Sequence, residues 1–148
     1  VADTITFLNR QRRVQFDLGW LRRAGKLALP ICQNLSDDGR FALARLPEIG
    51  VVVVSDARIA QIHAEFMNIE GPTDVITFAH GEIVTSAEMA RAYASDYGHP
   101  VEHELALYTV HGLLHLNGYD DLSPAPATRM RRTQTRVLKR ILSQLPSL

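Results

Sequence analysis

The chain is short of cysteine, of long apolar runs and of net charge, and each shortage excludes something. One cysteine, Cys32, in 148 residues leaves no intramolecular disulfide. Order must then come from a buried core, and a lone thiol suits a reducing cytoplasm. Lying between Ile31 and Leu35 in an apolar stretch, Cys32 reads as a core filler. No unbroken apolar run is longer than Val51 to Val54, far below the roughly 20 residues that a membrane-spanning helix needs. No membrane partner is expected. The opening VADTITFLNR lacks the basic segment and apolar core of a secretory leader, although the chain begins at Val1 rather than Met. No internal repeat is visible, and no linker is long enough to separate two domains. Hydrophobic content of 46% and charged content of 22% suit one soluble domain.

Net charge is zero, but the charges are sorted along the chain. Residues 1–55 carry eight Lys/Arg and five Asp/Glu; residues 56–104 carry two against nine; residues 122–148 carry six basic residues and no acid. Such sorting allows a basic face that attracts phosphates on a neutral molecule. Solvated helix faces are the alternative explanation.

Ile5 to Asn9 predicts a first strand. Asp17 caps a helix through Trp20, Leu21, Ala24, Leu27 and Ala28, whose spacing gives one apolar face. Pro30 lies just past that run, although Ile31, Cys32 and Leu35 can continue a helical turn, and SDDGR (36–40) is a turn. Phe41 to Leu46 alternates weakly. Ile49 to Val54 is β-branched enough for a buried strand. Ser55 or Asp56 starts a helix carrying Ile59, Ile62, His63 and Phe66, broken by Gly71-Pro72. Thr73 to Ala79 and Glu82 to Thr85 form a hairpin about Gly81. Ser86 opens a helix that Gly98 ends. Pro100 suits the first turn of the next, which runs to about Leu116 with Gly118 as a left-handed stop. SPAPA (123–127) reads as a break before a basic amphipathic helix from Thr128 to Leu145. The expected fold is a single α+β domain over residues 1–148, with a small mixed sheet of about four strands packed with about five helices.

The chemistry concentrates in HGLLHLNGYDD, residues 111–121. Residues four apart on a helix share a face, so His111 and His115 can aim two imidazoles at one ion. A helix cannot supply a third ligand at a good angle, but the turn at Gly118 can bring a residue near 120 or 121 back over the histidines. The pattern is H-x-x-x-H-x-x-G-x-x-D. Asp121 would add a carboxylate ligand and shift preference from zinc toward harder ions such as Mn or Mg. Asp120 competes for that role, or fixes the turn by accepting hydrogen bonds. Zinc peptidases carry a glutamate base after the first histidine. Here that position is Gly112, which cannot take a proton. Glu104 lies seven positions before His111, about two turns up the same face, and could orient a histidine or a water. The competing explanation is an amphipathic helix with two incidental imidazoles. Among the other histidines, His63 suits a core edge, His80 an exposed hairpin, and His99 and His103 a helix start facing away from the metal side.

These residues resemble the motif of the YbeY endoribonuclease family, H-G-x-L-H-L-x-G-Y-D-H. Upstream, PTDVITFAHGEIVTS (72–86) is similar to the family's P-T-D-V-L-S-F segment and following G-[DE]-I strand, and Glu104 sits where the family has a glutamate. The resemblance implies an α+β metalloprotein holding zinc with three histidines. It also implies metal-dependent cleavage of single-stranded RNA, in 16S rRNA 3′-end maturation and ribosome quality control on the small subunit in the cytoplasm, with no DNA partner. Carried over, two ligands are His111 and His115, and the third aligns with Asp121. A second departure is Met67, which stands five residues before Pro72 where members place an arginine. Arg58 or the basic last helix could replace that cation. Arg129, Arg131, Arg132 and Arg136 are the candidates for binding the RNA backbone. Two alternatives stand beside the nuclease: a weak or inactive ribosome-associated factor whose metal is structural or absent, and a metal-dependent hydrolase of another substrate. Gly112 makes a peptidase the poorest of these.

Overall fold

Four short segments of mostly β-branched residues pair into one sheet in the computed structural model, which describes residues 4–148. They are β1 (Ile5–Asn9), β2 (Ile49–Val54), β3 (Val75–Phe78) and β4 (Glu82–Ser86), in the order β1-β2-β4-β3. β1 and β4 run parallel to β2, and β3 pairs antiparallel with β4 across the Gly81 turn. Period-two alternation sends alternate residues of each strand to opposite faces. Ile49, Val51, Val53 and Ile83 face one core, whereas Val54, Ile76 and Val84 face a smaller one.

The helices divide between those faces. α1 (Leu18–Gln33) and α4 (Val101–Leu116) cover the larger core, joined by α5 (Pro124–Leu142), while α2 (Asp56–Met67) covers the smaller one through Ile59 and Ile62. α3 (Ala87–Tyr97) packs on α4. Asp17, Ser55 and Ser86 cap α1, α2 and α3 by accepting from the amides of Trp20, Arg58 and Met89.

α4 is buried on most sides and touches α1, α3, α5, β3 and β4. A helix apolar nearly all round is a core helix. Its fully buried Leu105, Leu113 and Leu114 each contribute about 1.5–3 kcal/mol. Gly112 sits where α4 meets β4: a Cβ there would lie 2.7–2.9 Å from three atoms of the Ile83 side chain. The glycine thus faces the sheet, and its role is close packing.

The α+β class, the hairpin and the five helices match the sequence reading. So does the continuation of α1 through Pro30 to Gln33: the proline lies on an exposed flank and Asn34 Nδ2 donates to its carbonyl at 3.0 Å. Three local expectations are corrected. Within Phe41 to Leu46, Ala42–Arg45 forms a 3-10 turn. α2 ends at Met67 with Asn68 in the left-handed region (φ 56°), before Gly71-Pro72 is reached. α5 begins at Pro124, since proline in the first turn loses no helical hydrogen bond, so SPAPA starts the helix.

The contact at Gly112 gives a test. Overpacking costs about 1–3 kcal/mol, against roughly 1 kcal/mol of helix propensity that alanine restores. With three Ile83 atoms in the way, Gly112→Ala is expected to lose up to about 2 kcal/mol net. Gly112→Glu, the peptidase-like replacement, is expected not to fold. Urea unfolding reads both, and an unchanged midpoint for Gly112→Ala would remove close packing as the reason for glycine.

Candidate metal centre

His111 and His115 occupy the one side of α4 that the core leaves open, one turn apart, with ring centroids 4.7 Å apart. Just beyond them the helix closes with paired capping bonds. Tyr119 N donates to Leu114 O at 3.0 Å, Gly118 N donates to His115 O at 3.1 Å, and Gly118 adopts φ +97°. That is the Schellman pattern, which wants glycine at the left-handed position. A Cβ at Gly118 would also lie 2.5 Å from the Asp38 carboxylate, so the position is closed to a side chain twice over.

The turn carries Asp121 back across the histidines. Its Oδ2 lies 3.6 Å from His111 Nε2 and its Oδ1 lies 3.7 Å from His115 Nε2. One donor atom from each of the three residues falls within 4.8 Å of the others. Asp120, the competing candidate, instead accepts from Leu122 N at 3.1 Å and stabilises the turn.

The donor set fits a divalent ion. Ligands at zinc bond lengths of about 2.0–2.2 Å in a tetrahedron stand roughly 3.3–3.5 Å apart, near the two separations observed here. A further residue prepares His111: its Nδ1 lies 2.8 Å from Gln134 Oε1 on α5. With the amide oxygen accepting, Nδ1 carries the proton and Nε2 presents its lone pair, the usual outer support of a metal histidine. His115 is pushed below the ordinary histidine range by burial and then by His111, and Asp121 only partly offsets this. A neutral imidazole is the form that binds metal.

Other sequence candidates fall elsewhere. Glu104 is buried and accepts from His99 Nε2 at 3.1 Å, so it orients a histidine outside the cluster. His103 stacks on Trp20, His80 on Phe78, and His63 Nδ1 meets Gly71 O at 3.0 Å. Arg131, Arg132 and Arg136, with Lys139, line an open groove of about 690 Å³ on α5. Arg129 is held by Asp37 through bonds of 3.0 and 3.3 Å. Met67 is 49% exposed at the end of α2. Arg58 lies on α2, across the sheet from α4, so the fold does not bring it to the histidines. Two contributors escaped sequence reasoning, Gln134 and the buried Asn117, because nothing local pairs either with its distant partners.

A family model described as Endoribonuclease YbeY matches residues 7–142. An Endoribonuclease YbeY of Desulfitobacterium hafniense is 38% identical over 112 residues, covering 64% of this chain and 71% of that protein. One from Rhodococcus jostii is 34% identical over 131 residues, covering 72% and 73%. One from Rhodopirellula baltica is 42% identical over 108 residues, covering 66% and 56%. Among solved structures, the solution structure of TM1509 from Thermotoga maritima matches with a TM-score of 0.62 over 97% of this chain and 91% of that one. At 20% identity this is a likeness of fold.

Two outcomes are expected from this geometry. Gln134→Leu removes the partner that fixes the His111 tautomer and should lower zinc affinity about 10–100-fold, measured by competition with a chromophoric chelator; full affinity would show that Gln134 is a bystander. His103 and His115 both titrate below the ordinary value of 6.5. Below that pH the unfolded chain binds more protons than the folded one. The melting temperature of chelator-treated protein should therefore hold above pH 6.5 and fall as the pH drops below it. A melting temperature unchanged down to pH 5 would contradict the shifts.

Proposed function

The chain belongs to the YbeY endoribonuclease family, and on that premise we propose that it is a metal-dependent endoribonuclease of single-stranded RNA. Its place is in maturation of the 16S rRNA 3′ end and in quality control of the small ribosomal subunit, in the cytoplasm. The observation that carries this reading is the convergence of His111, His115 and Asp121 within 4.8 Å at the end of a helix with the family's motif. A divalent ion there, zinc first and Mn or Mg as harder alternatives, supplies Lewis-acid activation of water and offsets charge on the phosphate being cut.

The chain's own residues divide the remaining work. Gln134 holds His111 in the tautomer that presents Nε2. Arg131, Arg132, Arg136 and Lys139 offer cations to the RNA backbone from the groove on α5. Arg131 lies about one turn before Gln134 and so shares its side of α5 more closely than the other three do. Gly112, turned into the sheet, puts no proton acceptor where a peptidase keeps one, and this favours phosphodiester over peptide substrates.

A second reading, a ribosome-associated factor with a structural or absent metal, has Met67 in its favour. The position is half-exposed and uncharged, and Arg58 lies across the sheet. Metal content separates the two: a closed four-ligand site indicates structure, an open position chemistry. A hydrolase of another substrate would hold the ion in the same way and leave RNA intact.

Purified protein is expected to cut a single-stranded RNA, to lose that activity with chelator and in His115→Ala, and to spare duplex RNA. Equal cleavage by all three preparations would expose a contaminant. Each phosphate contact on single-stranded RNA contributes about −0.7 to the slope of log affinity against log salt. Replacing Arg132 and Arg136 with alanine should flatten that slope by up to roughly 1.4. An unaltered slope would place the RNA elsewhere.

A further inference from the structure

A pocket of about 240 Å³ opens beside His111, where the end of α3, the flank of α4 and the start of β3 meet. Its wall differs in kind from the basic groove on α5. It carries the carboxylates of Asp74 and Glu104, the side chain of Tyr108 and the rings of Tyr93 and Tyr97, and no lysine or arginine lines it. Two carboxylates would repel a phosphate. The volume is below the roughly 300–1,000 Å³ of drug-sized sites, which suits one planar ring system.

Three observations show what such a ring must offer. Tyr108 is 5% exposed, and its buried hydroxyl has no partner at full hydrogen-bonding distance and angle, with the Glu104 carboxylate the acceptor beside it. A buried orphan of this kind is rare and points to a ligand. Burial, and then the Glu104 carboxylate nearby, raise the affinity of that hydroxyl for its proton, so it stays neutral. Glu104 is held in place from behind: it accepts from His99 Nε2 at 3.1 Å, and His99 stacks between Tyr97 and His103. One such bond leaves a carboxylate with further acceptor capacity. Asp74 Oδ1 already takes two bonds, from Val75 N at 2.8 Å and from the Thr73 hydroxyl at 3.3 Å, whereas Glu104 takes one from His99 and is the carboxylate beside Tyr108. At the rim, Tyr93 and Tyr97 are 43% and 73% exposed, and exposed aromatic faces stack on bases.

We propose that this pocket is a base-recognition subsite, taking one unpaired nucleobase that presents N–H donors, guanine first. The pairing edge of guanine carries N1–H and N2–H side by side, and a carboxylate accepts both. Adenine and cytosine present one amino group with an acceptor beside it, and uracil presents a single N–H. Tyr93 or Tyr97 covers the ring face, and the Tyr108 hydroxyl gains its missing partner. Because His111 lines the pocket as well, the phosphodiester next to the bound base falls at the metal end. The inference rests on the reading of this chain as a binder of single-stranded RNA and adds a base preference to it.

The test uses the protein as purified and fluorescein-labelled pentaribonucleotides UUGUU, UUAUU, UUCUU and UUUUU at one salt concentration. Anisotropy is read at once, and cleavage is read later on a gel. UUGUU should bind about tenfold tighter than UUUUU, the usual scale for a bidentate base contact. Tyr108→Phe should reduce that ratio to about threefold through loss of one hydrogen bond. Glu104→Gln exchanges a pure acceptor for a donor beside an acceptor, and should move the preference from UUGUU to UUAUU. Equal affinity for all four pentamers overturns the proposal. So does a uniform weakening in both variants, which is what a purely structural role would produce. Preferential binding of UUGUU with no pentamer cut would sustain the subsite while refuting the nuclease. Cleavage of all four with equal affinities would do the reverse.

Discussion

Where α4 ends, the fully buried side chain of Asn117 hydrogen-bonds to four backbone groups of the segment 32–43, the longest of these bonds being Nδ2 to Gln33 O at 3.5 Å. Its Nδ2 donates to Cys32 O at 2.7 Å and Leu35 O at 2.9 Å, and its Oδ1 accepts from Leu43 N at 3.1 Å. Each of these groups, left unpaired in the interior, would cost about 1–3 kcal/mol. The carboxamide therefore holds the end of α4 in one place against the end of α1. Ser36 Oγ adds a bond of 3.2 Å to Asn117 O, and Asp38 closes over Gly118. Only with the helix end anchored does the left-handed turn at Gly118 have a defined direction, and only that direction returns Asp121 to the two histidines. The carboxylate itself is half-exposed and without core packing, so its position is inherited from the turn.

The same helix keeps the glutamate of a zinc peptidase out of this centre. α4 is buried on the sheet side so closely that even a methyl group at position 112 would have to displace the Ile83 side chain. A residue next to the first histidine points about 100° away from it around the helix, here into the sheet. Chemistry at this centre must draw its proton acceptor from elsewhere, and the packing of the domain sets that limit before any substrate is considered.

Folding also gives the uneven charge a meaning. The acidic middle of the chain places Asp74 and Glu104 in the pocket next to His111, while the basic C-terminal segment becomes the outer face of α5. The first of these environments shares His111 with the metal candidate, and on the proposed reading the two suit different parts of an RNA strand: phosphates to the cations, a donor-bearing base to the carboxylates. Not every charge takes part. Arg129 is paired with Asp37 and helps to fasten α5 to the turn that clamps α4.

Most of the fold was legible because its determinants are local. Alternation in Ile49–Val54, caps at Asp17, Ser55 and Ser86, and the glycine at 118 act within a few residues of themselves. The errors were local conflicts settled by context: a proline accepted in a first turn at Pro124, and a left-handed Asn68 that ended α2 early. By itself the sequence determined the α+β class, the histidine pair on one helical face and the turn that could return an aspartate, since spacing and glycine conformation suffice for each. Only the tertiary structure decided that Asp121 rather than Asp120 meets the histidines, that Gln134 supports His111 from another helix and that Glu104 serves His99. It alone showed Gly112 pressed on Ile83 and the Tyr108 hydroxyl left unpartnered. Those facts depend on how separate elements pack, and no periodicity within one element encodes the side chain that another brings to it.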